Sequence, residues 1–241
     1  MKILIIRHGD PNYEIDSLTE TGWREAQLLA ERMKIYKIKD IYCSPLGRAQ
    51  DTASLTLKAL NTTATTLDWL REFTANIEDP YLNKTHVTWD LMPKYYNENE
   101  ILRDNKLWHT HPVLQKAGVK EEYDKVCKGL DDLLASYGYK RNGAIYNAEQ
   151  GNDDTIVFFC HFGVTGVILS HLFSCAPHIL WQNMISAPTS VTTLITEERE
   201  KGQVSFRMGA FSDTSHLYVA DQPPAFSGRF CEMYENENER H

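Results

Sequence analysis

The stretch Lys2-Ile3-Leu4-Ile5-Ile6-Arg7-His8-Gly9 decides the fold. Its nearly unbroken aliphatic run lacks the alternation of a half-exposed strand and fits a strand buried on both faces of a parallel sheet. The chain turns polar at once, so Arg7, His8 and Gly9 stand at the strand's C-terminal end. Beyond them, Trp23, Ala26, Ala30 and Met33 recur at spacings of three and four, which predicts an amphipathic helix over about 21–36. A strand followed by a helix opens a doubly wound α/β fold.

Working outward, 38–44 reads as a second strand, and Ser44-Pro45 signals a helix start, a hydroxyl cap followed by the proline that suits the first helical position. That helix would bury Ala49, Ala53, Leu57 and Leu60 and hold Arg48 in its first turn. Helical side chains lean toward the N-terminus, so the guanidinium reaches back to the strand ends, where open α/β sheets bind anions. A third strand is expected over 64–70, ending at Arg71-Glu72.

Residues 73–119, rich in aromatics such as Trp89, Tyr95, Tyr96 and Trp108, show no clean period. They read as a partly helical insertion over the active-site edge. Tyr123, Val126, Leu130, Leu133 and Tyr137 mark another amphipathic helix. A second central strand, 155–160, ends at His161 and leads into a helix over 163–173, with late strands over 191–196 and 203–208. The polar tail 232–241 is expected to fray, and the whole chain, 1–241, to form a single domain.

Composition narrows the function. At 241 residues, with 42% hydrophobic and 24% charged side chains, the chain can bury a sizeable core. A net charge of −8 argues against nucleic acid or an anionic membrane as partner, although a concave site with two or three cations can still attract a small phosphorylated substrate. Five scattered cysteines without a C-x-x-C pair suggest reduced thiols in the cytoplasm, and the sequence shows no secretory or membrane-spanning run. Oligomeric state is left open.

Three strand ends thus carry Arg7 with His8, Arg48 and His161. Guanidinium forks suit a phosphate dianion. An imidazole serves as nucleophile when its other nitrogen is fixed against a carbonyl, which fits His8, while His161 would stabilise charge on the non-bridging oxygens. Gly9 would let the backbone turn sharply and approach the phosphate. Glu72 is the chosen proton donor to the leaving oxygen, with Asp68 or Glu78 as substitutes. His109-Thr110-His111 lacks the further ligands of a zinc site. No metal or other cofactor is expected.

Arg7-His8-Gly9, Ser44-Pro45-Leu46-Gly47-Arg48-Ala49-Gln50-Asp51-Thr52-Ala53, Leu70-Arg71-Glu72 and Cys160-His161-Phe162-Gly163, in this order, resemble the histidine phosphatase superfamily, also called phosphoglycerate-mutase-like. Leu18-Thr19-Glu20-Thr21-Gly22-Trp23 looks like that family's first-helix start. The resemblance implies a three-layer α/β/α sandwich around a mixed, mostly parallel six-stranded sheet, with no need for metal. It implies that His8 becomes phosphorylated, that Arg7, Arg48 and His161 complete the phosphate pocket, and that Glu72 donates a proton and later activates water.

Two departures stand out: Asp10, where many members carry Glu or Gln, and Phe162, where glycine is frequent. Phe73-Thr74-Ala75-Asn76 also lacks the Arg-His-Tyr-Gly run associated with the mutases, which favours a phosphomonoester hydrolase acting on a small metabolite over a phosphomutase. A catalytically silent phosphoryl-binding protein is the reading from another class. Specificity is expected to reside in the insertion and in the loop Pro11-Asn12-Tyr13-Glu14.

Overall fold

The computed structural model describes residues 1–236. Its first strand, β1 (Lys2–Arg7), shows why the opening run is aliphatic at every position. Ile3 and Ile5 enter one core and Leu4 and Ile6 the other, all four at 2% exposure or less. Alternate side chains leave opposite faces of a strand, so a run without polar positions demands cover on both sides. Truncating any one of them to alanine should cost about 2–5 kcal/mol.

The central sheet continues with β2 (Ile38–Cys43), β3 (Thr65–Thr66), β4 (Tyr139–Asn142), β5 (Ile145–Ala148), β6 (Thr155–Cys160), β7 (Val191–Glu200) and β8 (Gln203–Asp213). Their order across the sheet is β3-β2-β6-β1-β7-β8-β5-β4. The first four pair in parallel, and every pairing from β1 onward to β4 is antiparallel. The sheet is therefore mixed, as expected, but it holds eight strands where six were expected, and its antiparallel pairings outnumber the parallel ones, four to three, where a mostly parallel sheet was expected. Part of the difference is the hairpin β4–β5, turned at Asn142-Gly143 with Gly143 at φ +61°. Asn-Gly is itself a strong local hairpin signal.

Helices α1 (Glu20–Met33) and α2 (Gly47–Leu60) cover one face through Leu29, Met33, Ala49 and Ala53. The other face is covered by α3 (Val119–Ser136), α4 (Phe162–Phe173) and α5 (Pro177–Asn183). The insertion is partly helical, at Pro93–Glu98 and Pro112–Lys116, and also contains an unanticipated hairpin, Asn76–Asp79 with Lys84–Val87. Its Leu91, Tyr95, Leu102 and Trp108 join the same core as α4 and α5.

Two expected elements are corrected. The third strand is only Thr65–Thr66, followed by a 3₁₀ turn over Asp68–Leu70. Leu70 is fully buried, and the neighbouring Trp69 packs edge-on against Phe158 at 5.8 Å; a strand would send two adjacent side chains to opposite faces. The second helix begins at Gly47 instead of Pro45: the Ser44 hydroxyl accepts only the Leu46 amide, at 3.2 Å, while also meeting His161, and the Asp16 carboxylate accepts the Gly47 amide at 2.7 Å. Of the tail expected to fray, 237–241 lies outside the described residues.

Candidate active site

Adjacent parallel strands bring the two histidines together. β1 and β6 align Arg7 with Cys160, so the next residues, His8 and His161, emerge side by side with ring centroids 5.0 Å apart. The His8 amide donates to Cys160 O at 3.0 Å, locking this register. His8 Nδ1 lies 2.7 Å from Gly9 O, which fixes that nitrogen as the donor and leaves Nε2 with its lone pair. Arg48 Nε faces that Nε2 at 3.4 Å.

His161 is wholly buried, and its Nε2 meets the Ser44 hydroxyl at 2.7 Å. Burial pushes both imidazoles well below their ordinary value, helped by Arg7 and Arg48 and, for His161, by His8. Both rings are therefore neutral near pH 7. His161 Nδ1 and Arg7 Nε are buried without a hydrogen-bond partner among the described residues. An unsatisfied buried polar atom costs about 1–3 kcal/mol, a penalty that an oxyanion bound among these groups would offset.

Arg7 is 4% exposed. Its Nη1 donates to Ser186 O at 2.5 Å and Ser227 O at 3.0 Å. The segment carrying Ser227 lies directly over the guanidinium, and Gly228, at φ +84°, has no room for a Cβ, which would fall 2.5 Å from Nη1. Glu25 ties this segment to the nucleophile loop, accepting Ala225 N at 2.9 Å and Asp10 N at 3.0 Å. Arg48 Nη1 donates to Asp16 Oδ1 at 2.5 Å and stacks under Tyr13 at 5.4 Å. A cation in a helix's first turn opposes the helix dipole, and Asp16 compensates it here.

Glu72 follows the 3₁₀ turn rather than a strand end, yet it reaches the same place. Its Oε1 accepts the amides of Phe73 at 2.7 Å and Val164 at 3.1 Å. Burial raises the carboxyl above its ordinary range, with those amides and Arg48 opposing. The substitutes fall away, since Asp68 pairs with Arg71 and Glu78 with Lys116 on the surface. The structure thus brings Arg7, His8, Arg48, His161 and Glu72 into one cluster.

Other residues went unrecognised in the sequence. Thr189, fully buried, holds φ +55°, a strained value for a β-branched residue. Its amide donates to His8 O at 3.2 Å, and its hydroxyl meets His216 Nε2 at 3.1 Å. A lone threonine carries no signal of such a role. Gly9 is needed for a different reason than expected: a Cβ there would fall 2.8 Å from Gly22 O of α1. Asp10 turns toward the start of α1, accepting the Thr19 hydroxyl at 2.6 Å. His111 bonds Tyr95 and Asn99, and His109 packs on Trp108, within the insertion.

A cavity of about 240 Å³ beside Arg7 is lined by Ile185, Ala187, Pro224, Ala225, Ser227 and Arg229. A wider groove of about 780 Å³, lined by residues that include Lys39 and Asp154, lies by the opposite ends of β2 and β6.

Comparison with known proteins bears on the family and the fold. The family model of the histidine phosphatase superfamily (branch 1) matches residues 3–208. A probable phosphatase of Schizosaccharomyces pombe is 26% identical over 233 residues, covering 90% of this chain and 95% of that protein. A 2,3-bisphosphoglycerate-dependent phosphoglycerate mutase of Thermoplasma acidophilum is 36% identical, but over 25% of this chain and 36% of its own length. Among solved structures, a phosphoserine phosphatase of Entamoeba histolytica bound to phosphoserine shares the fold. Its TM-score is 0.59 at 21% identity, covering 90% of this chain and 98% of that one.

Proposed function

Because the chain belongs to the histidine phosphatase superfamily, branch 1, we propose that it hydrolyses phosphomonoesters of small metabolites through a phosphohistidine on His8. The observation that carries this reading is the state of His8: a neutral imidazole, its Nδ1 held by Gly9 O and its unprotonated Nε2 accepting from Arg48 Nε at 3.4 Å. Arg7, Arg48 and His161 bind the phosphate oxygens, and developing charge is stabilised by donors already in place.

His8 Nε2 attacks phosphorus, forming the N–P bond. The P–O ester bond breaks, its electron pair goes to the leaving oxygen, and that oxygen takes the proton of Glu72. Water then attacks the phosphohistidine while Glu72 removes its proton, and the N–P pair returns to the imidazole. The chemistry draws on no metal or other cofactor. Turnover of an aryl phosphate in chelator that persists in wild type and vanishes in His8→Ala is the expected result; equal turnover in the variant would overturn the mechanism.

Local similarity to phosphoglycerate mutases supports a second reading, transfer of the phosphoryl group to another hydroxyl of the substrate. Release of free phosphate instead of an isomerised phosphoglycerate separates the two. Among the described residues no helix is long and apolar enough to cross a membrane, and the five cysteines are free, which supports a reducing, cytoplasmic setting.

A further inference from the structure

The leaving group of a phosphomonoester must lie beside its proton donor, so the surroundings of Glu72 select the substrate. One aromatic ring borders it, and a second packs on that ring. The indole of Trp89 and the Glu72 carboxyl converge over Gly163: a Cβ there would fall 2.6 Å from Trp89 Nε1 and 2.7 Å from Glu72 Oε1. The Phe162 ring stands edge-on to Trp89 at 5.6 Å. Both rings are half-buried.

The rings are held in advance. Trp89 Nε1 donates to Phe73 O at 2.9 Å, and its own carbonyl accepts from Gln182 Nε2 at 3.2 Å. Phe162 is the first residue of α4, directly after His161. Behind them Phe73 stacks on Trp181 at 5.4 Å, whose Nε1 donates to Gly163 O at 2.9 Å. Such preorganisation lowers the cost of receiving a ligand. Arg7 and Arg48 are needed for the phosphate, and Arg71, whose charge reaches His161, turns outward to Asp68 at 3.0 Å. A carboxylate-bearing leaving group would set its charge against Trp89 and the ring packed on it.

We propose that Trp89 and Phe162 form a leaving-group subsite for an uncharged, apolar or aromatic alcohol, so that the preferred substrates are phosphate monoesters of such alcohols. This rests on the phosphatase reading above. It is tested by phosphate release from phenethyl phosphate, ethyl phosphate, 3-phosphoglycerate and phosphoserine, all esters of poor alkoxide leaving groups, so that intrinsic reactivity does not set the order.

The expected kcat/KM for phenethyl phosphate exceeds that for ethyl phosphate by roughly tenfold to a hundredfold, the worth of partly burying one ring. The same ratio falls toward one in Phe162→Ala and Trp89→Leu; using a ratio cancels any loss of folded enzyme, and if Trp89→Leu does not fold, Phe162→Ala decides. A wild-type ratio near one, a preference for either carboxylate-bearing ester, or a ratio unchanged in Phe162→Ala overturns the subsite while leaving the phosphatase reading intact. No phosphate release from any of the four esters overturns both.

Discussion

Arg7, His8 and His161 sit at the ends of two hydrogen-bonded central strands, whereas Glu72, Trp89 and Phe162 meet from a coiled segment, an insertion and a helix start. On the first wall a ladder of backbone bonds fixes every side chain to its neighbour, down to the His8 amide on Cys160 O. On the second, position depends on side-chain packing and a few bonds to backbone, such as Trp89 on Phe73 O and Glu72 on the Val164 amide. A ladder tolerates little displacement, which suits chemistry requiring donors and nucleophile within a fraction of an ångström. Packing can change one ring at a time, which suits selection among leaving groups.

The largest effect expected is at the nucleophile. His8→Ala should lower kcat by roughly ten-thousandfold or more in stopped phosphate-release assays, because groups acting as one unit fail together. Arg48→Ala should follow, with a loss of roughly a hundredfold to a thousandfold as one charge-stabilising donor is removed. His8 ends a central strand and Arg48 reaches it from the first turn of α2; both losses should be nearly the same for aryl and alkyl esters.

Glu72→Gln acts from the other side: its loss in kcat/KM, which reports attack by His8, should be roughly a hundredfold or more for alkyl esters and much less for aryl esters, which need no proton, while hydrolysis of the shared phosphohistidine slows for both. Activity requires His8 without a proton and Glu72 with one. Burial and Arg7 lower His8 from 6.5, and burial raises Glu72 from 4.5. The acid limb of kcat/KM therefore lies below pH 6.5 and the alkaline limb above 4.5, and Glu72→Gln should erase only the alkaline limb in a pH series.

How much of this the sequence held differs between the same two regions. Lys2–Arg7 and Thr155–Cys160 announce themselves because a strand covered on both faces must be apolar throughout, and the histidines follow directly. Arg48 was legible from its distance after β2, although the helix starts later than Ser44-Pro45 implied, its amide capped by Asp16 from another loop. Glu72 was chosen from an expected strand end while its local structure was misread, because Trp69 and Leu70 pack inward together through contacts that no local pattern records. Ser227 over Arg7 and Thr189 under His8 lie far along the chain from their partners, and only tertiary folding joins them.

Smaller effects sharpen the picture. Thr189→Gly relieves the φ +55° strain but frees the loop beneath His8, and should lower kcat by about tenfold with little change in KM. His216, which bonds Thr189, is held at about 4 by burial and Arg32. Between pH 6.5 and about 4 this histidine binds a proton in the unfolded chain and refuses it in the folded one, so its contribution to stability is full above that window and falls as pH drops through it, by about 1.4 kcal/mol per pH unit on top of the share of the other depressed histidines. Thermal melts across that range should show the slope in wild type and a shallower one in His216→Gln.

The account turns on a covalent intermediate. Rapid mixing with a phosphate ester radiolabelled at phosphorus, followed by alkaline denaturation, should leave label on the wild-type chain that acid then releases, with none on His8→Ala. Label that survives acid, or that appears equally on His8→Ala, would contradict a phosphohistidine at position 8.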